Sequence, residues 1–195
     1  MKVGILGGTF DPVHNAHIVL AESACSELLL DLVLFVPAGE PWRKTRVITA
    51  ADHRLAMLKL ALDGNEAFGV SDIELRRAGP TYTADTLDEL AGERLDDEFY
   101  FIVGTDALAD LPNWHEPQRI VQHATLAVAV RDWHDVDVAS LGVPGLAARV
   151  VRFDMPNVDV SSTAIRAAVA AGENIDDLVP APVARYIAEH GLYRR

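Results

Sequence analysis

The stretch Lys2-Val3-Gly4-Ile5-Leu6-Gly7-Gly8-Thr9-Phe10-Asp11-Pro12-Val13-His14-Asn15-Ala16-His17 decides the fold. Residues 2–6 form a short apolar run, Gly7-Gly8 breaks it, and residues 18–30 carry enough Ala, Glu and Leu for a helix. The order is strand, glycine turn, helix. Gly7 and Gly8 permit a tight turn and let backbone N–H groups approach an anion, while His14 and His17, three apart at the helix start, can share one face. That geometry suits a phosphate. It is neither the G-x-x-x-x-G-K-[ST] loop nor the G-x-G-x-x-G fingerprint. An ordinary helix start with two solvent-facing histidines has the same local pattern, and a zinc reading lacks a cysteine or a third ligand.

Outward from this unit, residues 31–36 form a second strand closed by Pro37 and Gly39. Thr49 with Asp52 resembles a capping-box start, and Leu55, Leu58 and Leu62 recur at helical spacing until Gly64. Further strands are predicted over 68–75, 98–103 (ending in Gly104), 126–130 and, at the edge, 149–153. Helices are predicted over 84–95, 162–171 and 182–190, with a turn at 80–83 and Gly191 closing the last helix. Strands alternating with helices predict a doubly wound, mostly parallel α/β sheet with a C-terminal helical extension. The reading is one domain over 1–195, with 160–195 as its helical part. In such sheets ligands sit beyond the carboxyl ends of strands, so the residues after Leu6, Val36, Val103 and Phe153 hold the candidate site.

Twenty-nine acidic residues against 17 Lys and Arg give a formal net charge of -12. This argues against nucleic acid or an anionic membrane as a partner, both of which need a continuous positive surface, but not against a concave site for a small anion. Seven acidic residues lie between Asp85 and Glu98 with only Arg94 opposing them, which places much of the imbalance on one outward helix. Cys25 is the only cysteine, so neither an intrachain disulfide nor a cysteine cluster is expected. The run 3–6 is too short for a signal-peptide core and no apolar stretch reaches about 20 residues, so a soluble cytoplasmic protein is expected.

Two more elements suit an anion. Arg43, Lys44, Arg46 and Arg54 stand against Glu40 and Asp52 over residues 40–54, a locally basic stretch that reads equally as a solvated loop. Ser161, Ser162 and Thr163 open a predicted helix one turn before Arg166, where hydroxyls, free N–H groups and the helix end gather a phosphate; a plain cap and a surface arginine have the same pattern.

The motif Gly7-Gly8-Thr9-Phe10-Asp11-Pro12-x-His14-x-x-His17, the Lys44 loop and Ser161-Ser162-Thr163-x-x-Arg166 resemble the nucleotidyltransferase superfamily that carries an H-x-G-H signature. Within it, residues 79–87, Gly104-Thr105-Asp106-Ala107-Leu108, Trp114 and the ending from Val183 to Tyr193 are similar to the bacterial nicotinate-nucleotide adenylyltransferases, over nearly the whole chain. The resemblance implies a Rossmann-like fold and adenylyl transfer from ATP to nicotinate mononucleotide with Mg2+, giving the dinucleotide and pyrophosphate. It assigns the nucleotide to Gly7, Gly8, Thr9, Phe10, His14, His17, Lys44, Gly104, Asp106, Ser161, Ser162, Thr163 and Arg166. His14, His17, Lys44 and Arg166 carry the chemistry, His17 foremost, and no protein metal cage is implied. The acceptor falls to Thr9, Thr81, Tyr82, Thr83, Asp106, Trp114 and His115, with the pyridine ring on Trp114.

Two positions depart from the pattern. Ala16 replaces the glycine of H-x-G-H, and Arg43 stands where many members have His. They leave room for a nicotinamide-mononucleotide or phosphopantetheine adenylyltransferase, or for an inactive nucleotide-binding domain. Residues 179–193 are open to packing on their own sheet or in a homo-oligomer contact.

Overall fold

The computed structural model describes residues 1–40, 47–130 and 136–194. Its strands are β1 (Lys2–Gly8), β2 (Leu32–Pro37), β3 (Phe68–Val70), β4 (Glu98–Gly104), β5 (Ala124–Val130) and β6 (Val150–Asp154). They form a parallel sheet in the order β3-β2-β1-β4-β5-β6. The helices are α1 (Asn15–Leu28), α2 (Ala51–Leu62), α3 (Thr83–Glu93), α4 (Thr105–Asp110), α5 (Pro117–His123), α6 (Ser162–Ala171) and α7 (Ala181–Glu189).

Side chains alternate across the strands, so each strand feeds two cores, and its sequence is apolar almost throughout. Leu6, Val33, Phe35, Ile102, Ala127 and Phe153 pack with Ala21, Met57, Leu58, Ile165, Val183 and Ile187 of α1, α2, α6 and α7. Val3, Ile5, Leu34, Phe101, Leu126 and Val128 pack on the other face with Leu87, Leu90, Leu108 and Ile120 of α3, α4 and α5. The expected doubly wound sheet with C-terminal helices is present, and α6 and α7 share a core with the sheet. α7 lies against α2 of its own chain. No helix among the described residues is long and apolar enough to cross a membrane.

The order reverses between β1 and β4, because the chain adds β2 and β3 on one side before returning to add β4 on the other. Loops leaving β1 and β4 therefore diverge and open a crevice at their carboxyl ends.

Several boundaries differ from the sequence reading. Gly7 and Gly8 do not break the strand; they pair with Val36 and Pro37 inside the ladder. β3 ends at Val70 rather than 75, because the Ser71 N–H still reaches the Phe35 carbonyl but Leu75 and Arg76 donate back to Asp72 in a helical turn. Thr49 does not cap α2, whose N-cap is Ala50 with no side-chain hydrogen bond. The short helices α4 and α5 were not anticipated.

Candidate active site

The turn after β1 is made by Phe10, not by the glycines. Phe10 takes φ 49 while Gly7 and Gly8 remain in the strand. Gly8 is required for a different reason: a Cβ there would lie 2.9 Å from the Phe10 ring. That ring is buried and meets His17 edge-on, with centroids 4.9 Å apart.

His14 is the extended N-cap of α1, with its ring stacked on His17 at 3.7 Å. The His14 backbone N–H donates to His17 Nδ1 at 3.2 Å. An accepting Nδ1 carries no proton, so the His17 ring holds its N–H at Nε2. The two histidines do share one face, but His14 is buried rather than solvent-facing. Asn15 fixes the helix start to the segment before α7, through its backbone N–H to the Leu178 carbonyl and its side chain to the Asp177 carbonyl. Ala16 is also buried, so its methyl is covered by protein.

α6 abuts this turn. Ser161 caps it by accepting from the Ala164 N–H at 3.2 Å. Ser162 Oγ donates to the Pro12 carbonyl at 2.9 Å, and Arg166 donates to the Asp11 carbonyl at 2.7 Å and to Thr163 Oγ1 at 3.2 Å. Thr9, Phe10, His14 and His17 are thus brought together with Ser162, Thr163 and Arg166, from opposite ends of the chain. One detail departs from expectation: the single hydroxyl proton of Ser162 is committed to a loop carbonyl, so Ser162 braces the turn. Lys44, with Arg43 and Arg46, lies outside the described residues.

Three residues that the sequence reading assigned no role hold the turn from below. Asp11 is 1% exposed, and its carboxylate accepts from the Tyr193 hydroxyl at 2.8 Å and the Thr49 N–H at 3.4 Å. Burial, then the negative charge of Asp11, push the Tyr193 hydroxyl well above the usual tyrosine range. Arg54, counted in sequence among the cations of a basic stretch, is 2% exposed and donates to the Thr9 and Thr49 carbonyls. The motif positions of Asp11 and Tyr193 were the available signal. Arg54 offered none, because its partners are backbone carbonyls, and that of Thr9 is brought near only by the fold.

The second group lies past β2 and β4. Gly104 is the N-cap of α4, and Asp106 is exposed in its first turn. Trp114, half-buried, packs edge-on to Phe101 and donates its indole N–H to Asp110 Oδ2 at 3.1 Å, which fixes the ring plane. Tyr82 and His115 stack at 4.1 Å, and Thr83 begins α3. Thr81 is buried, donates its N–H to the Glu40 carbonyl, and its Oγ1 has no hydrogen-bond partner among the described residues. Gly39 lets the segment after β2 pass close to Glu74 and Thr81: a Cβ there would sit 2.4 Å from the Glu74 carbonyl oxygen and 2.9 Å from the Thr81 methyl.

The acidic helix is less unopposed than its sequence neighbourhood implies. Arg119 of α5 pairs with Asp85, Asp88 and Glu116, His123 pairs with Asp88, Arg77 with Glu89, and Arg94 and the N-terminal ammonium with Asp97. Arg94 is the local partner already counted, whereas Arg119, Arg77, His123 and the N-terminus come from other elements, which a local count along the chain does not see. Among the described residues no group of three or more His, Cys, Asp and Glu is placed to hold a metal.

Residues 5–168 match the Cytidylyltransferase-like family, so fold, phosphate-suited turn and sequence together define a nucleotidyltransferase. A "Probable nicotinate-nucleotide adenylyltransferase" of Thermomicrobium roseum is 47% identical over 99% of this chain and 92% of its own length. A protein of the same name from Dehalococcoides mccartyi is 45% identical over 100% of this chain and 98% of its own. The chain belongs to the nicotinate-nucleotide adenylyltransferases. Its fold is that of a Plasmodium falciparum nicotinic acid mononucleotide adenylyltransferase complexed with NaAD, at TM-score 0.80 and 20% identity over 98% of this chain and 97% of that one.

Proposed function

We propose that this chain transfers the adenylyl group of ATP to nicotinate mononucleotide, giving nicotinate adenine dinucleotide and pyrophosphate. The observation that carries the reading is the turn after β1: a His17 ring with its proton held at Nε2, between the ends of α1 and α6, at the crevice where the sheet order reverses.

The mononucleotide phosphate is ionised at neutral pH and needs no general base. One of its oxygens bonds to the α-phosphorus of ATP as the bond to the bridging oxygen breaks, and pyrophosphate leaves with that electron pair. No enzyme nucleophile takes part. The chain supplies alignment and charge neutralisation. His17 and His14 meet the triphosphate oxygens, with Gly7, Gly8, Thr9 and Phe10 lining the near side and Gly104 the β4 side. Thr163, Arg166 and the N–H groups at the start of α6, capped by Ser161 and braced by Ser162, take the far end, where the helix dipole adds to the arginine charge. Lys44 completes the phosphate contacts. Mg2+ would be carried mainly on substrate oxygens and water, there being no group of three or more His, Cys, Asp and Glu among the described residues to cage it, and it would supply charge neutralisation on the leaving group.

On the acceptor side, the pyridine ring stacks on Trp114, Asp106 meets the ribose, and backbone N–H groups around Thr81, Tyr82 and His115 hold the ring carboxylate, the Thr81 N–H itself being donated to the Glu40 carbonyl. A carboxylate satisfies such donors; a carboxamide presents a donor of its own to them, which disfavours nicotinamide mononucleotide. Small-molecule substrates in the cytoplasm, without nucleic acid or membrane partners, agree with the net charge of -12.

A pyrophosphate-release assay with ATP, Mg2+ and a panel of acceptors tests the reading. Nicotinate mononucleotide is expected to support release well above nicotinamide mononucleotide, phosphopantetheine and buffer. Release that favours another acceptor, or none from folded protein, overturns it.

A further inference from the structure

Arg54 lies near the start of α2, yet its side chain is 2% exposed. Burying a guanidinium is costly unless its donors are used. Nη1 donates to the Thr9 carbonyl at 2.9 Å and Nε to the Thr49 carbonyl at 3.0 Å. Thr49 in turn donates its backbone N–H to Asp11 at 3.4 Å. Thr9, Arg54, Thr49 and Asp11 close a ring that ties the entry to α2 to the turn after β1.

This ring acts on one peptide plane. The C=O and N–H of a trans peptide point in opposite directions, so drawing the Thr9 carbonyl toward Arg54 turns the Phe10 N–H away from it. Phe10 follows at φ 49, a left-handed conformation that is strained for a residue with a Cβ. Such strain persists only where the surroundings over-determine it. Arg54 holds the carbonyl before Phe10, Arg166 holds the carbonyl of Asp11 after it, and Gly8 leaves room for the ring. The ring so placed stands at 72° to His17, which is packed between Phe10 and His14.

We propose that Arg54 is a positioning residue for His17. By holding the Thr9–Phe10 peptide in its left-handed turn, it sets the Phe10 ring and thereby the direction in which His17 presents its Nε2–H. The consequence for catalysis rests on the adenylyl-transfer reading; the consequence for the His17 ring does not. A buried arginine with a merely structural role would lower melting temperature and leave the His17 ring as it is.

The test uses the full chain with Arg54→Lys and Arg54→Met, together with Phe10→Leu, which keeps Arg54 and removes the ring it sets. Imidazole 15N shifts report the His17 tautomer in the unliganded protein, and steady-state kinetics report kcat and KM separately. Arg54→Lys retains charge but loses the two-carbonyl fork. All three variants are expected to move the His17 signals from a single Nε2–H tautomer toward an average of both. Misplacing a catalytic group by about 1 Å costs on the order of 100-fold, so kcat is expected to fall about 10- to 100-fold, with each KM changed less than about 3-fold. Unchanged His17 shifts in folded Arg54→Lys or in Phe10→Leu overturn the proposal. So does a wild-type kcat in Arg54→Lys. If the wild-type chain releases no pyrophosphate, the adenylyl-transfer reading fails while the tautomer comparison still decides the role of Arg54.

Discussion

Tyr193→Phe removes one hydroxyl and keeps the ring. In the parent that hydroxyl donates to Asp11 Oδ1 at 2.8 Å, and Asp11 is 1% exposed, so a buried carboxylate loses a donor that bulk water cannot replace. Hydrogen bonds to charged groups contribute about 1.5–3 kcal/mol. The apolar packing is untouched, so the expected loss is that of the hydroxyl's hydrogen bonds, the charged one to Asp11 first and the one to the Thr49 side chain after it. At about 2–4 °C per kcal/mol for a domain of this size, Tm falls by about 3–12 °C. The effect also has a pH signature. Burial, and after it the charge of Asp11, raise the Tyr193 hydroxyl in the folded chain. A group raised on folding stabilises fully below its unfolded value, about 10 for tyrosine, and loses that contribution as pH rises toward the folded value. The gap between parent and variant is therefore constant from pH 7 to 9 and narrows above about pH 10. Urea titrations of both proteins at pH 7, 9 and 10.5 measure it. A gap below about 0.5 kcal/mol at pH 7, or one that widens at alkaline pH, refutes the reasoning.

His17→Ala removes the Nε2–H donor from the reacting phosphates, and kcat is expected to fall about 100- to 1,000-fold in a folded protein; unchanged turnover takes His17 out of the mechanism. Trp114→Ala removes the stacking face, worth about 1–3 kcal/mol per base, and is expected to raise the KM for the mononucleotide about 5- to 150-fold with the KM for ATP unchanged. Equal shifts in both constants would contradict the stacking. Gly39→Ala puts a methyl 2.4 Å from the Glu74 carbonyl oxygen, a backbone atom that cannot swing aside. A loss of about 1–3 kcal/mol in thermal or urea unfolding is expected, and wild-type stability would show that the segment after β2 and Glu74 are less closely apposed.

The sequence was most legible where local chemistry decides structure. α6 falls on 162–171 as predicted, because a serine cap and a glycine in the left-handed conformation at 172 both act within the helix itself. β1, β2, β4 and β5 were legible as apolar runs because both of their faces are buried. The ending of β3 was not, since a helical turn anchored on Asp72 competes with an apolar pattern that would have continued the strand. α4 and α5, six and seven residues long, are too short to show a period. Spacing and resemblance singled out His14, His17, Thr163 and Arg166, and the structure brings them to the two sides of one turn. Asp11, Arg54 and Tyr193 were not assigned, because each depends on a partner far along the chain: Thr49 for Asp11, Thr9 for Arg54 and Asp11 for Tyr193. The turn itself was misplaced: glycines suggested it, and a phenylalanine held in the left-handed region makes it.

The central claim is that the His17 site moves the adenylyl group of ATP onto nicotinate mononucleotide without an enzyme-bound intermediate. ATP labelled at the α-phosphorus, mixed with excess wild-type or His17→Ala protein and nicotinate mononucleotide in a single turnover, tests it most directly. The account predicts label passing straight from ATP into the dinucleotide, with no labelled protein at any time, and a rate about 100-fold or more lower in the variant. Label trapped on the protein, label released without the mononucleotide, or equal rates in the two proteins would contradict it.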